Sequence, residues 1–207
     1  MKRSLALAVV LFTSFTCCFA QYPQPTPQYV GILRQNFDFV AAGQKQDEWC
    51  WAASASMILQ WYGLNVTQEM VVARTKGVLI DAPGSDRDIS NALSGWAFTR
   101  NGQRVTIRSW TAPGPPPPVI LIRELSQRHP FLLTFMSGPN SGHAVVITAA
   151  SYIPTANGPY ITSLVIRDPW PSEENIANEG RVEIGGQDLA NFMPRIRSNW
   201  LVSITPN

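Results

Sequence analysis

The chain has 207 residues, with 16 Lys and Arg, 14 Asp and Glu, and two His. This near balance of charge excludes a dedicated nucleic-acid binder, which carries a clear basic excess. Hydrophobic residues make up 45% of the chain and charged residues 14%, so the chain is too apolar to be disordered and can bury a sizeable core. Its three cysteines are too few for the framework of a disulfide-rich scaffold.

The N-terminus has the parts of a secretory signal peptide. Lys2 and Arg3 supply a basic start, a short apolar stretch follows, and Cys18-Phe19-Ala20 places small residues at the cleavage positions. The apolar run is shorter than the roughly 18 residues of a spanning helix. We predict a signal peptide over residues 1–20, a secreted (periplasmic or extracellular) product, and no stable membrane association after cleavage. The alternative is an uncleaved anchor, or a lipoprotein modified at Cys17 or Cys18.

The first half of the mature chain is predicted to be mainly helical. Residues 21–43 form a Pro/Gln-rich tail and a lead-in strand near residues 30–33. Cys50 to Tyr62 has an apolar face at helical spacing, with Gly63 as a stop and Asp47 and Glu48 placed for the first turn. Thr67 is predicted to cap a second helix reaching about Lys76, and Ser85-Asp-Arg-Asp88 has the capping-box spacing for a third, reaching about Leu93.

The second half is predicted to be rich in strands. Residues 119–128 resemble a short helix, and β-rich runs follow, separated by Gly, Pro or Asn turns, at residues 131–136, 143–151, 160–167, 181–184 and 200–204. The proline-rich segment 113–118 is the expected crossing between two lobes, of about residues 44–112 and 119–207. The sequence therefore predicts an α+β fold of two lobes.

Signal cleavage removes Cys17 and Cys18 and leaves Cys50 as the one remaining thiol. A thiol attacks only as the thiolate, and a free thiol with a pKa of about 8.5 is mostly protonated near neutrality. The start of a helix favours the anion through the positive end of the helix dipole. A buried, inert cysteine is the alternative for an isolated thiol.

Two residues of the second half have the properties needed to act with Cys50. His143 opens a β-rich run after Gly142, and Asp168 ends another before Pro169. A histidine beside the thiol shares its proton and later delivers that proton to the leaving group. A carboxylate behind the histidine fixes its tautomer and orientation. Neighbouring strands can bring both residues to one edge of a sheet.

The chain resembles the papain-like cysteine peptidases through three motifs and one glutamine. These are Gln44 six residues before Cys50-Trp51-Ala52, then Gly142-His143-Ala144, then Asp168-Pro169-Trp170. The likeness is to a compact bacterial branch that includes bacteriocin-processing peptidases and exported effector proteases. It extends from Gln44 to Trp170 and implies a papain-like peptidase domain over residues 44–207, with a helical lobe that carries Cys50 and a strand-rich lobe that carries His143 and Asp168.

The resemblance also implies a role for each residue. Cys50 is the nucleophile, His143 the base and acid, and Asp168 the orienting residue where papain has an asparagine. The amide of Gln44 and the backbone N–H of Cys50 form the oxyanion hole. Trp170 is expected to shield the hydrogen bond between His143 and Asp168 from water. The chain lacks room for a long inhibitory prosegment before Gln44, and it lacks the cysteine pairs of many secreted relatives.

The function expected from the sequence is hydrolysis of peptide bonds in a protein or peptide substrate. With two His and one Cys the mature chain has too few ligands for a structural zinc site, so we expect no metal and no cofactor. One alternative is acyl transfer by the same Cys-His-Asp set, as in transglutaminases. The other is a papain-fold binding protein whose site is idle.

Overall fold

A computed structural model of the protein describes residues 25–97, 99–100 and 103–206. The predicted signal peptide lies outside these residues. Within them, eight strands join in one antiparallel sheet: β1 (Gln28–Gly31), β2 (Thr99–Arg100), β3 (Gln103–Pro113), β4 (Phe131–Gly138), β5 (Ser141–Thr155), β6 (Gly158–Arg167), β7 (Arg181–Gly185) and β8 (Ile196–Pro206). The strand order is β2-β3-β8-β4-β5-β6-β7, and β1 pairs with β5.

Helices lie on both faces of this sheet. They are α1 (Arg34–Asp38), α2 (Cys50–Trp61), α3 (Gln68–Lys76), α4 (Asp86–Ala92), α5 (Pro118–Ser126), α6 (Glu173–Ala177) and α7 (Gly186–Phe192), the last running into a 3-10 turn at Met193–Arg195. None of the helices in the described part of the chain is both long enough and apolar enough to cross a membrane.

Alternation along the central strands produces a core on each face of the sheet. On β4, Leu132 packs with α2, α3 and α4, whereas Leu133 packs with α5 and α7. On β5, Val146 belongs to the same core as Leu132, and Val145 belongs to the same core as Leu133. Successive side chains of a strand point to opposite faces, so a run of apolar residues can serve two cores at once. This arrangement confirms the predicted α+β fold, with a helical lobe that carries Cys50 packed on a strand-rich lobe.

The helix boundaries that depend on local signals are confirmed. The hydroxyl of Thr67 accepts a hydrogen bond from the backbone N–H of Met70, and Gly77, whose φ is 78°, caps the C-terminal end of α3. Ser85 and Asp88 form a reciprocal capping box at the start of α4. Each signal acts on groups within one turn of the helix end, so it can be recognised without knowledge of the tertiary structure.

The structure differs from the expectation for α2. Residues 51–59 are buried on every side, because α3, α4 and the sheet surround the helix. Asp47 and Glu48 do not belong to its first turn, since α2 begins at Cys50. The backbone N–H of Glu48 instead donates to the carboxylate of Asp81 at 2.9 Å.

The helical half also contains a strand for which the sequence analysis predicted no element. β3 pairs with β8 over nine residue pairs, from Val105 opposite Pro206 to Pro113 opposite Ser198. Only Val105 and Ile107 of this strand are buried apolar residues, which makes the alternation weak. The sheet therefore includes strands from both sides of the proline-rich segment, which joins β3 to α5.

Candidate active site

Cys50 is the first residue of α2, and its side chain is partly exposed. The first backbone N–H groups of a helix have no partner within the helix, so the N–H of Cys50 points out of the helix end together with the positive end of the dipole. Trp51, which follows, is buried, and its indole N–H donates to the carbonyl of Ala82 at 3.1 Å. This bond holds the first turn of α2 against the loop before α4.

A hydrogen bond joins the cysteine helix to the strand of His143. Ser54, one turn after Cys50, is fully buried, and its hydroxyl donates to the carbonyl oxygen of Ala144 at 3.1 Å. His143 precedes Ala144 near the start of β5. The bond therefore holds the N-terminal part of α2, which carries Cys50, against the start of β5, which carries His143.

His143 and Asp168 come together at the edge formed by β5 and β6. Val146 of β5 pairs with Arg167 of β6, so Asp168 directly follows this pair and His143 lies three residues before it on the neighbouring strand. The distance from Nε2 of His143 to the Oδ1 atom of Asp168 is 2.6 Å. Oδ1 also accepts from the backbone N–H of Trp170 at 2.9 Å. The side chain of Trp170 is 50% exposed; the shielding expected of it stays a prediction.

The environment of His143 raises its pKa from 6.5 to about 9. Burial acts against the imidazolium, but the hydrogen bonds to Asp168 and Cys50 and the negative charges of these two partners outweigh it. Because Nε2 of His143 bonds to Asp168, Nδ1 is the ring nitrogen that bonds to the sulfur of Cys50. These contacts favour the protonated form of the imidazole.

Gln44 lies in the loop before α2 and is 8% exposed. Its Nε2 donates to the backbone carbonyls of Gln46, at 2.9 Å, and Asp47, at 2.6 Å. Its backbone N–H donates to the carbonyl of Pro169 at 2.7 Å. The loop that leads to Cys50 is thus bonded directly to the residue that follows Asp168.

A cleft of about 420 Å³ runs between the two lobes, and Cys50 and His143 both line it. Apolar side chains of Trp51, Ile89 and Phe135 contribute to its surface. The ring of Phe135 packs edge-on against the imidazole, with the two centroids 5.7 Å apart. Charged side chains also border the cleft, namely Glu48, Asp86 and Arg197. The cleft therefore presents both apolar and charged surface beside Cys50 and His143.

The structure thus brings Cys50, His143 and Asp168 together and places Gln44 in the adjoining loop. It also reveals supporting residues that the sequence analysis did not identify. Ser54 bonds to Ala144, the side chain of Gln68 bonds to the loop of Gln44, and the carbonyl of Gly180 accepts from the N–H of Asp168. Their contacts are made across long stretches of chain, so no local pattern marks them. Among the described residues, no three His, Cys, Asp or Glu side chains converge as a metal site would need.

Residues 33–179 match the model of the family described as papain-like cysteine protease AvrRpt2. This range is more than half of the chain and contains all four candidate residues. No curated protein sequence matches the chain significantly.

Two solved structures resemble the fold. The peptidase domain of Streptococcus ComA, a bifunctional ABC transporter involved in a quorum-sensing pathway, has a TM-score of 0.52 and 14% identity, and the match covers 80% of this chain and 97% of that one. A double-glycine motif protease from an AMS/PCAT transporter, solved with its leader peptide, has a TM-score of 0.47 and 17% identity, with coverages of 79% and 91%. At 14% identity the first likeness shows the fold alone.

Proposed function

Because the chain belongs to the AvrRpt2 family of papain-like cysteine proteases, we propose that it is a secreted endopeptidase that cleaves protein or peptide substrates through a thioester on Cys50. The observation that carries this proposal is the cleft in which Cys50 and His143 meet while Asp168 holds the imidazole at 2.6 Å. The family establishes a cysteine-type peptidase; the roles of individual residues and the export are our proposals.

The first step uses the thiolate–imidazolium pair. The sulfur of Cys50 attacks the carbonyl carbon of the scissile bond, and the carbonyl oxygen becomes an oxyanion. The proton on Nδ1 of His143 passes to the departing amine, the C–N bond breaks, and a thioester remains. The raised pKa of His143 supports this role, since the ring holds that proton near neutral pH.

Hydrolysis of the thioester reverses the proton transfer. Neutral His143 takes a proton from water, the resulting hydroxide equivalent attacks the thioester, and the thiolate leaves. Asp168 keeps the ring in the tautomer that presents Nδ1 to sulfur or water. Its Oδ1 is itself fixed by the N–H of Trp170, so the ring has a rigid support.

We assign stabilisation of the oxyanion to the backbone N–H of Cys50 and the side-chain amide of Gln44. Both N–H groups of a glutamine amide can donate, and Nε2 of Gln44 contacts two consecutive carbonyls of its own loop. One of these contacts has to give way to the oxyanion during the reaction. Removal of such a donor costs on the order of 100- to 1000-fold in rate.

The proposed export rests on the N-terminal signal sequence. Cleavage after Ala20 leaves a mature chain that begins at Gln21. Expression of the full chain in a secreting host, followed by N-terminal sequencing of the exported product, tests this. A product that keeps Met1, or that stays with the cells, contradicts the proposal.

Hydrolysis of a denatured protein and of a proteome-derived peptide library by the wild type and by Cys50→Ala tests the function. We expect cleavage by the wild type and none by Cys50→Ala, with both proteins equally folded by circular dichroism. Equal activity refutes the proposal. Incorporation of a labelled amine into the substrate without matching cleavage instead identifies an acyltransferase.

A further inference from the structure

We propose that Gln68 is a positioning residue for catalysis, whose buried side-chain amide holds the loop that carries Gln44. This inference rests on the oxyanion role proposed above for Gln44. Gln68 is the first residue of α3 and is only 3% exposed. Its position is set by the capped start of that helix, where Thr67 bonds to the N–H of Met70.

The amide of Gln68 bonds to the backbone on both sides of Gln44. Its Nε2 donates to the carbonyl of Gly43 at 2.8 Å, and its Oε1 accepts from the N–H of Lys45 at 3.0 Å. These are the bonds that a neighbouring strand would make to an extended segment. They fix the peptide units before and after Gln44, and hence the direction in which its side chain leaves the backbone.

The same loop is held from the opposite side by the segment of Asp168. The N–H of Gln44 donates to the carbonyl of Pro169 at 2.7 Å, so the loop lies between α3 and the residues that orient His143. A second tie from α3, the ion pair of Lys45 with Glu69 at 2.6 Å, is largely exposed. Exposed pairs contribute little, typically below about 1 kcal/mol. The buried amide is therefore the main restraint from the helical lobe.

Packing alone does not call for a glutamine here. A methionine side chain has a similar length and can be buried without the desolvation cost of an amide. For an amide, hydrogen bonds to both its oxygen and its nitrogen are needed to offset that cost. A buried polar pair of this kind specifies one backbone arrangement. Donors to a transition state need placement within about 0.5 Å, which a loop does not supply without such support.

The variant Gln68→Met removes both bonds and keeps the volume. We expect kcat to fall roughly 10- to 100-fold, with KM little changed, because the lost interaction is made only in the transition state. The rate at which iodoacetamide alkylates Cys50, and the pH dependence of that rate, should stay as in the wild type. The pair of Cys50 and His143 depends on other contacts.

A double-mutant cycle separates positioning from general loosening. If Gln68 acts through Gln44, then Gln68→Met has little further effect on kcat in the background of Gln44→Ala. If the double variant instead loses kcat by the product of the two single-variant factors, the residues act independently and the inference is overturned. A wild-type kcat in Gln68→Met also overturns the inference about Gln68. The proposed function is unaffected by that result as long as Cys50→Ala is inactive. A wild-type kcat in Gln44→Ala overturns the oxyanion role and the inference together.

Gln60→Met is the matched control. Gln60 is an amide on α2 that donates to the hydroxyl of Ser56 at 2.8 Å and the carbonyl of Val66 at 3.1 Å, away from the loop of Gln44. We expect this variant to lose stability but not kcat; an equal loss of kcat overturns the inference. Gln68→Glu serves if Gln68→Met does not fold. It keeps the acceptor for Lys45 but places a carboxylate oxygen against the carbonyl of Gly43, and we expect kcat to fall there as well.

Discussion

The hydroxyl of Ser54 donates a hydrogen bond to the carbonyl oxygen of Ala144, across 90 positions of the sequence. Ser54 lies one helical turn after Cys50, and Ala144 follows His143. Both residues are buried, at 0% and 2% exposure. The bond therefore ties the helix of the proposed nucleophile to the strand of the proposed base, at a point protected from water.

Ser54→Ala should weaken the pairing of Cys50 with His143. We expect the free energy of unfolding to fall by about 1–2 kcal/mol, since the carbonyl of Ala144 loses a buried partner. The rate at which iodoacetamide alkylates Cys50 near pH 6 should fall, because the N-terminal end of α2 is then less firmly held beside the imidazole of His143. Ser56→Ala is the control: its hydroxyl, equally buried, bonds to Val66 at 2.7 Å within the helical lobe. Similar destabilisation with unchanged alkylation is expected there, and equal slowing contradicts our interpretation.

The activity should have an alkaline limit set by His143. Its pKa in the folded protein, about 9, lies above the usual histidine value of 6.5. The stability that charged His143 contributes is therefore fully present below about pH 6.5 and is lost as the pH rises toward 9. We expect kcat/KM of the folded enzyme to decline around pH 9, where the imidazolium loses its proton. The pH profile and NMR titration of the ring measure this.

Asp168→Asn should move that limit to lower pH. The asparagine keeps a hydrogen-bond acceptor but removes the negative charge that favours the imidazolium. The pKa of His143 should fall, and the alkaline limb of kcat/KM should move with it. An unchanged limb in this variant shows that Asp168 does not control the protonation of His143.

Gly180→Ala should displace the backbone around Asp168. Gly180 has a φ of +67°, and a Cβ at this position overlaps the carbonyl oxygen of Asp168. Its own carbonyl accepts from the N–H of Asp168 at 2.7 Å, so the two segments cannot separate without breaking this bond. Gly77→Ala is the control, because Gly77 has a φ of +78° but a Cβ there meets no atom within 4 Å.

Both variants share the left-handed backbone cost of about 1–2 kcal/mol. Only Gly180→Ala should lose more stability than this and should lower kcat/KM. Urea unfolding and peptide hydrolysis compare the two variants. If both behave alike, contact with Asp168 is not what requires glycine at position 180.

Arg167→Met should destabilise the fold strongly. Arg167 is 1% exposed and pairs with Asp38 of α1 at 2.7 Å, and it also donates to the carbonyl of Glu179 at 3.0 Å. Its removal leaves the carbonyl of Glu179 without this donor and Asp38, whose side chain is 30% exposed, without its shorter ion pair, at a cost of about 1–3 kcal/mol. Arg34→Met removes the exposed partner of the same carboxylate, 3.6 Å away, and should cost less than about 1 kcal/mol. Chemical denaturation of both variants checks the difference, and similar losses contradict it.

Local signals in the sequence were enough to predict the ends of α3 and α4 and the strands of the second half. Caps such as Thr67 and Ser85 act within one turn. Strands such as β5 and β6 are bounded by turn residues. α1 and β3 escaped prediction because each has few buried apolar residues, and its partners lie elsewhere in the chain. The complete burial of α2 could not be inferred from a pattern that predicts a single apolar face.

The sequence by itself determined which residue types were present for the chemistry, namely one thiol at a helix start and a histidine and a carboxylate at strand ends. Only the tertiary structure decided their supports. Gln68 lies 23 positions from Lys45, and Arg167 lies 133 positions from the carbonyl of Arg34 that it contacts. The order of residues encodes turns and caps because their partners are neighbours along the chain. Contacts between distant segments depend on the whole tertiary fold, and so they leave no local pattern in the sequence.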